Sequence, residues 1–215
     1  MDNVTDVTVS PCSDSAYIKP LRVFYKQNGV SKTWDAVKSH DSVCILLFNK
    51  STESFVFVKQ FRPAIYIQKS ELQKHEDHWK IDTGKYPGEL GITYELCAGI
   101  VDKDKNLDVI AQEEILEECG FQVPLEKLQR ITSYRSGEGT IGAQLTLYYA
   151  EVCEEVRITE GGGNLEEGEM IELIEVLLKD IKHWIMNESI SKPATLMFAV
   201  MWFLDNKTCD TNSSS

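Results

Sequence analysis

The 215-residue chain is poor in basic residues, and its cysteines are not grouped. It has 22 Lys and Arg against 34 Asp and Glu, which leaves a formal net charge of −12. No basic patch offsets this charge, so the composition disfavours a nucleic acid as the main partner. Six scattered cysteines without a CxxC pair predict neither a disulfide framework nor a zinc site.

Long hydrophobic runs are also missing. The segment ATLMFAVMWFL is too short to span a bilayer, and MDNVTDVTVSPCSDS has neither the basic nor the apolar part of a signal peptide. We therefore expect a cytoplasmic protein in a reducing environment, with no membrane partner. A chain of this length with 42% hydrophobic residues can bury one substantial core.

The most informative segment is Gly99–Phe121, which ends in EEILEECGF. At helical periodicity four glutamates share one arc of about 140°, and Ala111, Ile115, Leu116 and Cys119 fall on the opposite side. Like charges at this spacing destabilise a helix by about 0.2–0.5 kcal/mol per pair, so helix stability does not explain the cluster. A hard divalent cation does, because it binds several carboxylate oxygens at once. A solvated acidic face is the alternative. The four glutamates are Glu113, Glu114, Glu117 and Glu118.

This segment resembles the Nudix box, which reads glycine, five residues, Glu, seven residues, then Arg-Glu-apolar-x-Glu-Glu-x-Gly-apolar. Two positions depart from it. Lys105 stands where the box has its first Glu, and Glu113 stands where it has Arg. In the family this Arg orients neighbouring glutamates, so its absence calls for another cation. The matching positions are Gly99, Glu114, Ile115, Glu117, Glu118, Gly120 and Phe121.

The resemblance implies Mg²⁺-dependent cleavage of a diphosphate, with Mn²⁺ as a possible substitute. It makes Glu114 and Glu118 the main metal ligands and adds the carbonyl oxygen of Ala98. Glu117 shares an ion or positions its water, and so counts as catalytic. A bound cation would also offset the repulsion between this acidic chain and an anionic substrate. Glu95, on the preceding strand, is either a further ligand or a surface residue.

A late acidic segment, LEEGEMIEL, spans residues 165–173. In the ADP-ribose pyrophosphatase branch of the family the general base is often a glutamate on a late loop. The resemblance favours Glu167 as this base, followed by Glu169 and Glu166. Solvated acids at a turn are the alternative. The GGGN stretch just before would let the loop move over bound substrate like a lid.

Two substrate-binding residues are expected outside the box. Arg62, in KQFRPAIY, resembles the substrate-binding end of a strand in the family, and its guanidinium can hold two phosphate oxygens. A surface arginine that caps the strand is the alternative. Trp34 can stack on a nucleobase, across a dimer interface, or pack in a core. Arg135 and Glu138 are candidates for sugar or phosphate contacts by position alone.

The order of elements predicts an α+β fold, a Nudix α/β/α sandwich with a mixed sheet. Asn28-Gly29 between two apolar-bearing runs predicts a hairpin within residues 17–40. The resemblance makes this hairpin a β extension that forms a homodimer and contributes to the partner's pocket. The remaining divisions are a flexible leader at 1–16, a Nudix domain at 41–205 and a disordered tail at 206–215.

Within the domain, SVCILLFN and SFVFVKQF predict a second hairpin, and ITYELCAG predicts one strand. The polar segment 68–91 is expected to be a long loop. The acidic helix should begin after an N-cap at Asn106 and stop at Gly120.

The stretches KQFRP, ELCAG and EEGEMIE extend the resemblance over most of residues 17–178. Together they favour the members of the family that cleave nucleoside diphosphate sugars, and the implied reaction converts UDP-glucose to UMP and glucose 1-phosphate. Two alternatives stay open. One is an ADP-ribose pyrophosphatase as the main activity, and the other is a catalytically weak nucleotide-sugar-binding module.

Overall fold

The computed structural model describes residues 2–15, 17–102, 104–164, 166 and 168–207. Its strands are β1 (Thr8–Val9), β2 (Lys19–Gln27), β3 (Val30–Lys38), β4 (Ser42–Asn49), β5 (Ser54–Phe61), β6 (Gln73–His75), β7 (His78–Lys80), β8 (Ile92–Glu95), β9 (Cys97–Ile100), β10 (Gln129–Ser136), β11 (Ala143–Val152) and β12 (Ile171–Leu177). Its α-helices are α1 (Pro63–Gln68), α2 (Leu107–Cys119), α3 (Ile181–Met186) and α4 (Ala194–Asn206).

A mixed sheet of seven strands forms the centre of the fold. Its main path runs β10-β11-β4-β5-β12, with β8 paired to β5 and β9 paired to β4. The β11–β4 pair is parallel and the other pairs are antiparallel. Val43, Ile45 and Leu47 alternate with Cys44 and Leu46, and both sets are buried, because the strand is covered on both faces.

Helices cover the two faces of this sheet and so produce three layers. Helix α2 packs with the first set of β4 side chains, and helices α3 and α4 pack with the second set. The core between the sheet and helices α3 and α4 is rich in aromatic side chains. Phe55 and Phe203 meet edge to face at 4.8 Å, and Phe57 stacks on Trp184 at 5.2 Å. The predicted α/β/α sandwich with a mixed sheet is confirmed.

The N-terminal hairpin is also confirmed. Strands β2 and β3 pair in antiparallel register from Lys19↔Lys38 to Gln27↔Val30. Asn28 and Gly29 both have positive φ, 53° and 82°, as a two-residue turn of type I′ requires.

Two segments have more structure than the sequence predicts. Thr8–Val9 lies within the leader and pairs with His78–Lys80, although its polar composition suggested a loose chain. The polar segment 68–91 is not one long loop, because it contains β6, β7 and a 3₁₀ turn at Gly88–Gly91. Backbone pairing between the two segments provides the order that their side chains do not predict.

The predicted strand ITYELCAG is divided in two at Leu96. Strand β4 pairs with β5 only from Leu47 to Asn49, and the two strands then diverge. Strand β9 occupies the gap along β4, with Ala98 opposite Cys44, and β8 occupies it along β5, with Glu95 opposite Val58. This division places Glu95 and Ala98 in the gap between the diverging strands β4 and β5.

Helix α2 begins and ends as its sequence predicts. Asn106 is the N-cap residue with extended backbone, although its side chain makes no capping hydrogen bond. Gly120 ends the helix in the left-handed conformation, and its N–H donates to the carbonyl of Leu116 at 3.0 Å. None of the helices in the described ranges reaches the length and apolar character that a membrane span requires. The tail predicted to be disordered lies outside the described residues from position 208 onward.

We expect Gly120→Ala to lower the free energy of unfolding by about 3 kcal/mol or more. An added Cβ at this φ of 78° would be strained and would overlap the carbonyl of Thr159. Gly29→Ala is the matched control, since its φ of 82° is similar and nothing lies within 4 Å of the added atom. The control should lose only about 1 kcal/mol in urea denaturation. Equal losses would show that the contact with Thr159 is unimportant.

Candidate active site

The site is centred on Glu118 in the last turn of α2. Its side chain is only 4% exposed, although it lies on the acidic arc of the helix. The carboxylate turns toward strand β9, where Oε2 accepts a hydrogen bond from the N–H of Ala98 at 2.9 Å. The alternative of a solvated acidic face therefore does not hold for Glu118, because β9 offers its backbone amide to this side chain.

Glu114, one turn earlier, lies against Gly99 at the end of the same strand. A Cβ on Gly99 would overlap the Glu114 carboxylate, so the first glycine of the box makes room for this side chain. Glu117 is exposed on the helix, and its carbonyl accepts the N–H of Gly163 at 3.2 Å. Two of the predicted metal ligands thus face β9, and the third lies closer to solvent.

Burial raises the pKa of Glu118 to about 8. Loss of solvent disfavours the charged form, and the nearby carboxylates of Glu114 and Glu169 add to the increase. The Ala98 amide acts in the opposite direction because it stabilises the anion. The carboxyl is therefore held in a place where its negative charge is costly without a neighbouring cation.

Arg62, just after the end of β5, and Glu95 on β8 form an ion pair with two hydrogen bonds. Nε and Nη2 of Arg62 donate to the two oxygens of Glu95 at 2.9 and 2.7 Å. The backbone N–H of Arg62 donates to Gly91, which fixes the residue between β5 and α1. Glu118 and Glu169 also act on Arg62 and raise its pKa, after the larger effect of Glu95. Arg62 is therefore near the carboxylates of Glu118 and Glu169, and its binding of phosphate stays a prediction.

Glu95 is not a freely solvated surface residue, since its side chain is 17% exposed and pairs with Arg62, and its role as a metal ligand stays a prediction. Burial alone would raise its pKa, but the hydrogen bonds from Arg62 and Thr93 more than offset this and hold the pKa below its usual value. The residue is a partner that orients Arg62. Arg62 and Glu95 carry opposite charges at the ends of two strands. They meet because ITYELCAG is divided, which lets β8 pair with β5.

The three candidates for the general base lie in different situations. Oε2 of Glu169 accepts the N–H of Asn164 at 2.9 Å, and its charge acts on both Glu118 and Arg62. Glu166 is exposed, and its N–H donates to Asn164 Oδ1 at 3.0 Å. Glu167 lies outside the described residues. Among the described residues of this loop, Glu169 is the acid that reaches the centre.

The glycine run before this loop is anchored to helix α2. The N–H groups of Gly162 and Gly163 donate to the carbonyls of Glu118 and Glu117 at 2.9 and 3.2 Å. A Cβ on Gly163 would lie 2.7 Å from Oε2 of Glu169. The sequence predicted a mobile lid, whereas these contacts make the glycines a close-fitting support for the end of α2.

The two departures from the box contact each other. Nζ of Lys105 lies 2.5 Å from Oε1 of Glu113, and each side chain is 42% exposed. A cation is therefore present beside Glu113, although it comes from the other anomalous position and not from an arginine.

Trp34 is the predicted substrate contact that this chain does not bring to the centre. It is exposed on the hairpin, and its indole N–H donates to the carbonyl of Gly139 at 2.7 Å. It is not a core residue. Its neighbours Arg135 and Glu138 line a separate cleft of about 590 Å³ with Tyr134 and Phe198.

The donors suit a hard divalent cation by their chemistry. Glu114 and Glu118 offer carboxylate oxygens, and Ala98 offers a carbonyl beside them, which is the oxygen set that Mg²⁺ prefers. The raised pKa of Glu118 is the sign of a charge that a cation would stabilise. Within the described residues, no three His, Cys, Asp or Glu side chains already surround a common ion position.

We expect Glu95→Gln to lower the free energy of unfolding by about 1 kcal/mol at pH 7, because it removes one charge of a half-exposed pair. The pKa of Glu95 is lower in the folded protein than its ordinary value of 4.5. The stabilisation is therefore present above pH 4.5 and is lost as the pH falls through the folded-state pKa. Urea titrations at several pH values should show the difference from wild type shrinking in acid.

Glu172→Gln is the control for this measurement. Glu172 pairs with Lys59 at 2.8 Å but is 53% exposed, so its loss should change stability by less than about 0.5 kcal/mol. A Glu95→Gln difference that stays constant down to pH 3 would contradict the ion-pair assignment.

Comparison with known proteins places the chain among nucleotide-sugar pyrophosphatases. No family model matches it. It is 40% identical over 211 residues to the uridine diphosphate glucose pyrophosphatase NUDT14 of Bos taurus, with 94% of this chain and 95% of the relative covered. The Mus musculus protein of that name is 40% identical over 213 residues, with the same coverage.

A GDP-mannose pyrophosphatase of Cronobacter sakazakii is a more distant relative. It is 28% identical over 136 residues, which cover 63% of this chain and 59% of the relative. The two NUDT14 proteins, by contrast, align along almost the whole chain, and two glutamates of the box, Glu118 and Glu114, contact Ala98 and Gly99. The chain therefore belongs to the Nudix hydrolases, as a member of the family that contains the uridine diphosphate glucose pyrophosphatases.

Proposed function

We propose that this protein uses Mg²⁺, or Mn²⁺ in its place, to hydrolyse UDP-glucose to UMP and glucose 1-phosphate. The observation that carries the proposal is the buried Glu118 carboxylate, held on the amide of Ala98 beside Glu114 and near Arg62. A site of acidic oxygens with one arginine suits a diphosphate with its cation. The 40% identity to two UDP-glucose pyrophosphatases supports the choice of substrate.

In the proposed reaction a water oxygen bonds to one phosphorus, and the bond from that phosphorus to the bridging oxygen breaks. One proton of the water passes to a base. The cation, when bound, neutralises phosphate charge and lowers the pKa of the water. Glu114, Glu118 and the Ala98 carbonyl would hold it, and the exposed Glu117 would orient water at its outer side.

Arg62 would bind a phosphate of the substrate. Glu95 fixes the plane of its guanidinium through two hydrogen bonds, so the side chain is oriented before the substrate arrives. Pre-orientation lowers the conformational entropy that binding would otherwise cost. In this position phosphate competes with Glu95 for the donors on Nε and Nη2.

The base would be a glutamate of the loop after the glycine run. The resemblance favours Glu167, and the position of Glu169 relative to Glu118 and Arg62 supports that residue instead. Hydrogen bonds from Gly162 and Gly163 to the end of α2 keep this loop beside the metal-binding helix, whichever glutamate acts.

We also propose a homodimer formed through the N-terminal hairpin. Alternate residues of β2 and β3 place an apolar set on one face, and each is at least 38% exposed. The opposite face carries the Arg22–Asp35 ion pair and a single exposed aromatic side chain, Phe24. A two-stranded hairpin is marginally stable alone, so a second copy is the fitting cover. The apolar set is Leu21, Val23, Tyr25, Val30 and Trp34.

A cytoplasmic location is part of the proposal. The cysteines among the described residues, Cys12, Cys44, Cys97, Cys119 and Cys153, are all free thiols. Free thiols are typical of a reducing compartment.

We expect purified protein with Mg²⁺ to cleave UDP-glucose faster than ADP-ribose or GDP-mannose, and Glu118→Gln to lower the rate at least about 100-fold. Mass spectrometry of the products in ¹⁸O-labelled water would identify UMP and glucose 1-phosphate and show which one carries the label. Faster cleavage of ADP-ribose would make ADP-ribose the main substrate in place of UDP-glucose. Full activity of Glu118→Gln would contradict the proposed role of Glu118 as a metal ligand.

Controls belong to the same assay. Glu126→Gln changes an exposed glutamate beyond the box and should keep wild-type activity. The candidates for the base are separated by three variants, Glu166→Gln, Glu167→Gln and Glu169→Gln. The variant that lacks the base should have a lower kcat with little change in KM.

Sedimentation should give twice the mass of a single chain for the wild-type protein. Val23→Asp places a charge on the apolar face of the hairpin and should shift the protein to monomers at micromolar concentration. Thr33→Asp adds the same charge to the opposite face and should leave the dimer intact. Dimers of equal stability in both variants would exclude this face as the interface.

A further inference from the structure

The segment that runs from the end of β9 to the start of α2 is held at both ends by two consecutive residues of the helix. At its start Gly99 lies against the carboxylate of Glu114, and at its end Lys105 pairs with Glu113. Both contacts reach the second turn of α2. The segment is therefore tied to a proposed metal ligand, Glu114, and to the residue before it.

We propose that Lys105 and Glu113 are a charge-reversed positioning pair that sets the orientation of Glu114 toward the metal site. In the box pattern the two positions carry Glu and Arg, and here they carry Lys and Glu. Each change alone would place two like charges within contact distance. Together they restore one attraction, with Nζ and Oε1 2.5 Å apart.

The physical effect acts through the backbone of α2. Asn106 provides no capping hydrogen bond from its side chain, so the first turn lacks one common restraint. The ion pair spans from the residue before the N-cap to the second turn and supplies a restraint of another kind. Glu113 and Glu114 are adjacent, so a rotation of this turn that broke the pair would also move Glu114 away from Gly99.

This inference depends on the proposed metal site, and metal binding tests both without an activity assay. Mn²⁺ binding, followed by the electron paramagnetic resonance signal of free Mn²⁺, should be compared in wild type, Lys105→Glu, Glu113→Arg and the double variant. We expect each single reversal to weaken binding by about threefold to tenfold, and the double variant to return within about twofold of wild type.

The direction in which Lys105→Glu changes Mn²⁺ affinity distinguishes a positioning effect from a simple effect of charge. Adding negative charge beside a cation site should strengthen Mn²⁺ binding if only the total charge matters. The positioning pair requires the opposite, a weaker site in both single variants. Tighter binding by Lys105→Glu, or affinities that do not couple in the double variant, would overturn the proposal.

A control pair separates local from general effects. Lys50 and Glu151 form an exposed pair at 3.3 Å, at the opposite end of strands β4 and β11. Lys50→Glu should leave Mn²⁺ affinity unchanged. A wild-type protein that binds no Mn²⁺ would overturn the metal site itself, whereas equal affinity in all four proteins would overturn the pair alone.

Discussion

The hydrogen bond from the amide of Ala98 to the carboxylate of Glu118 joins the two parts on which the site depends. One partner belongs to the sheet and the other to the helix above it. Their meeting requires β4 and β5 to diverge, because only then can β9 enter between them with an amide available for a side chain. The position of the Glu118 carboxylate on the helix therefore depends on the strand arrangement of the sheet.

Further restraints converge on the same helix. The glycine run binds the carbonyls at its end, Gly99 accommodates Glu114, and Lys105 holds the second turn through Glu113. Each restraint comes from a different segment of the chain. The carboxylates are consequently placed by the backbone around them, which limits the reorganisation that binding of an ion requires.

The features that follow from local chemistry could be predicted from the sequence. Asn28-Gly29 requires a type I′ turn, Gly120 ends the helix, and the spacing of the box places Glu114 and Glu118 on one helix. The features that depend on strand register could not. The division of ITYELCAG is not visible in its apolar pattern, and so the Arg62–Glu95 pair and the burial of Glu118 were not predicted. The Lys105–Glu113 contact could not be predicted either, because it depends on the path of the chain between β9 and α2, which composition does not specify.

The parallel pairing of β4 with β11 has a consequence for the order of folding. It joins Ser42 to Leu145, residues about one hundred positions apart, at the centre of the sheet. Contacts of such separation are slow to form, because a long loop must close before they stabilise anything. Arg62 and Glu169, which act on the same centre, are separated by a similar distance along the chain. A nascent chain would therefore carry the complete box helix long before its centre was assembled, and affinity for the proposed cation would serve as a measure of completed folding.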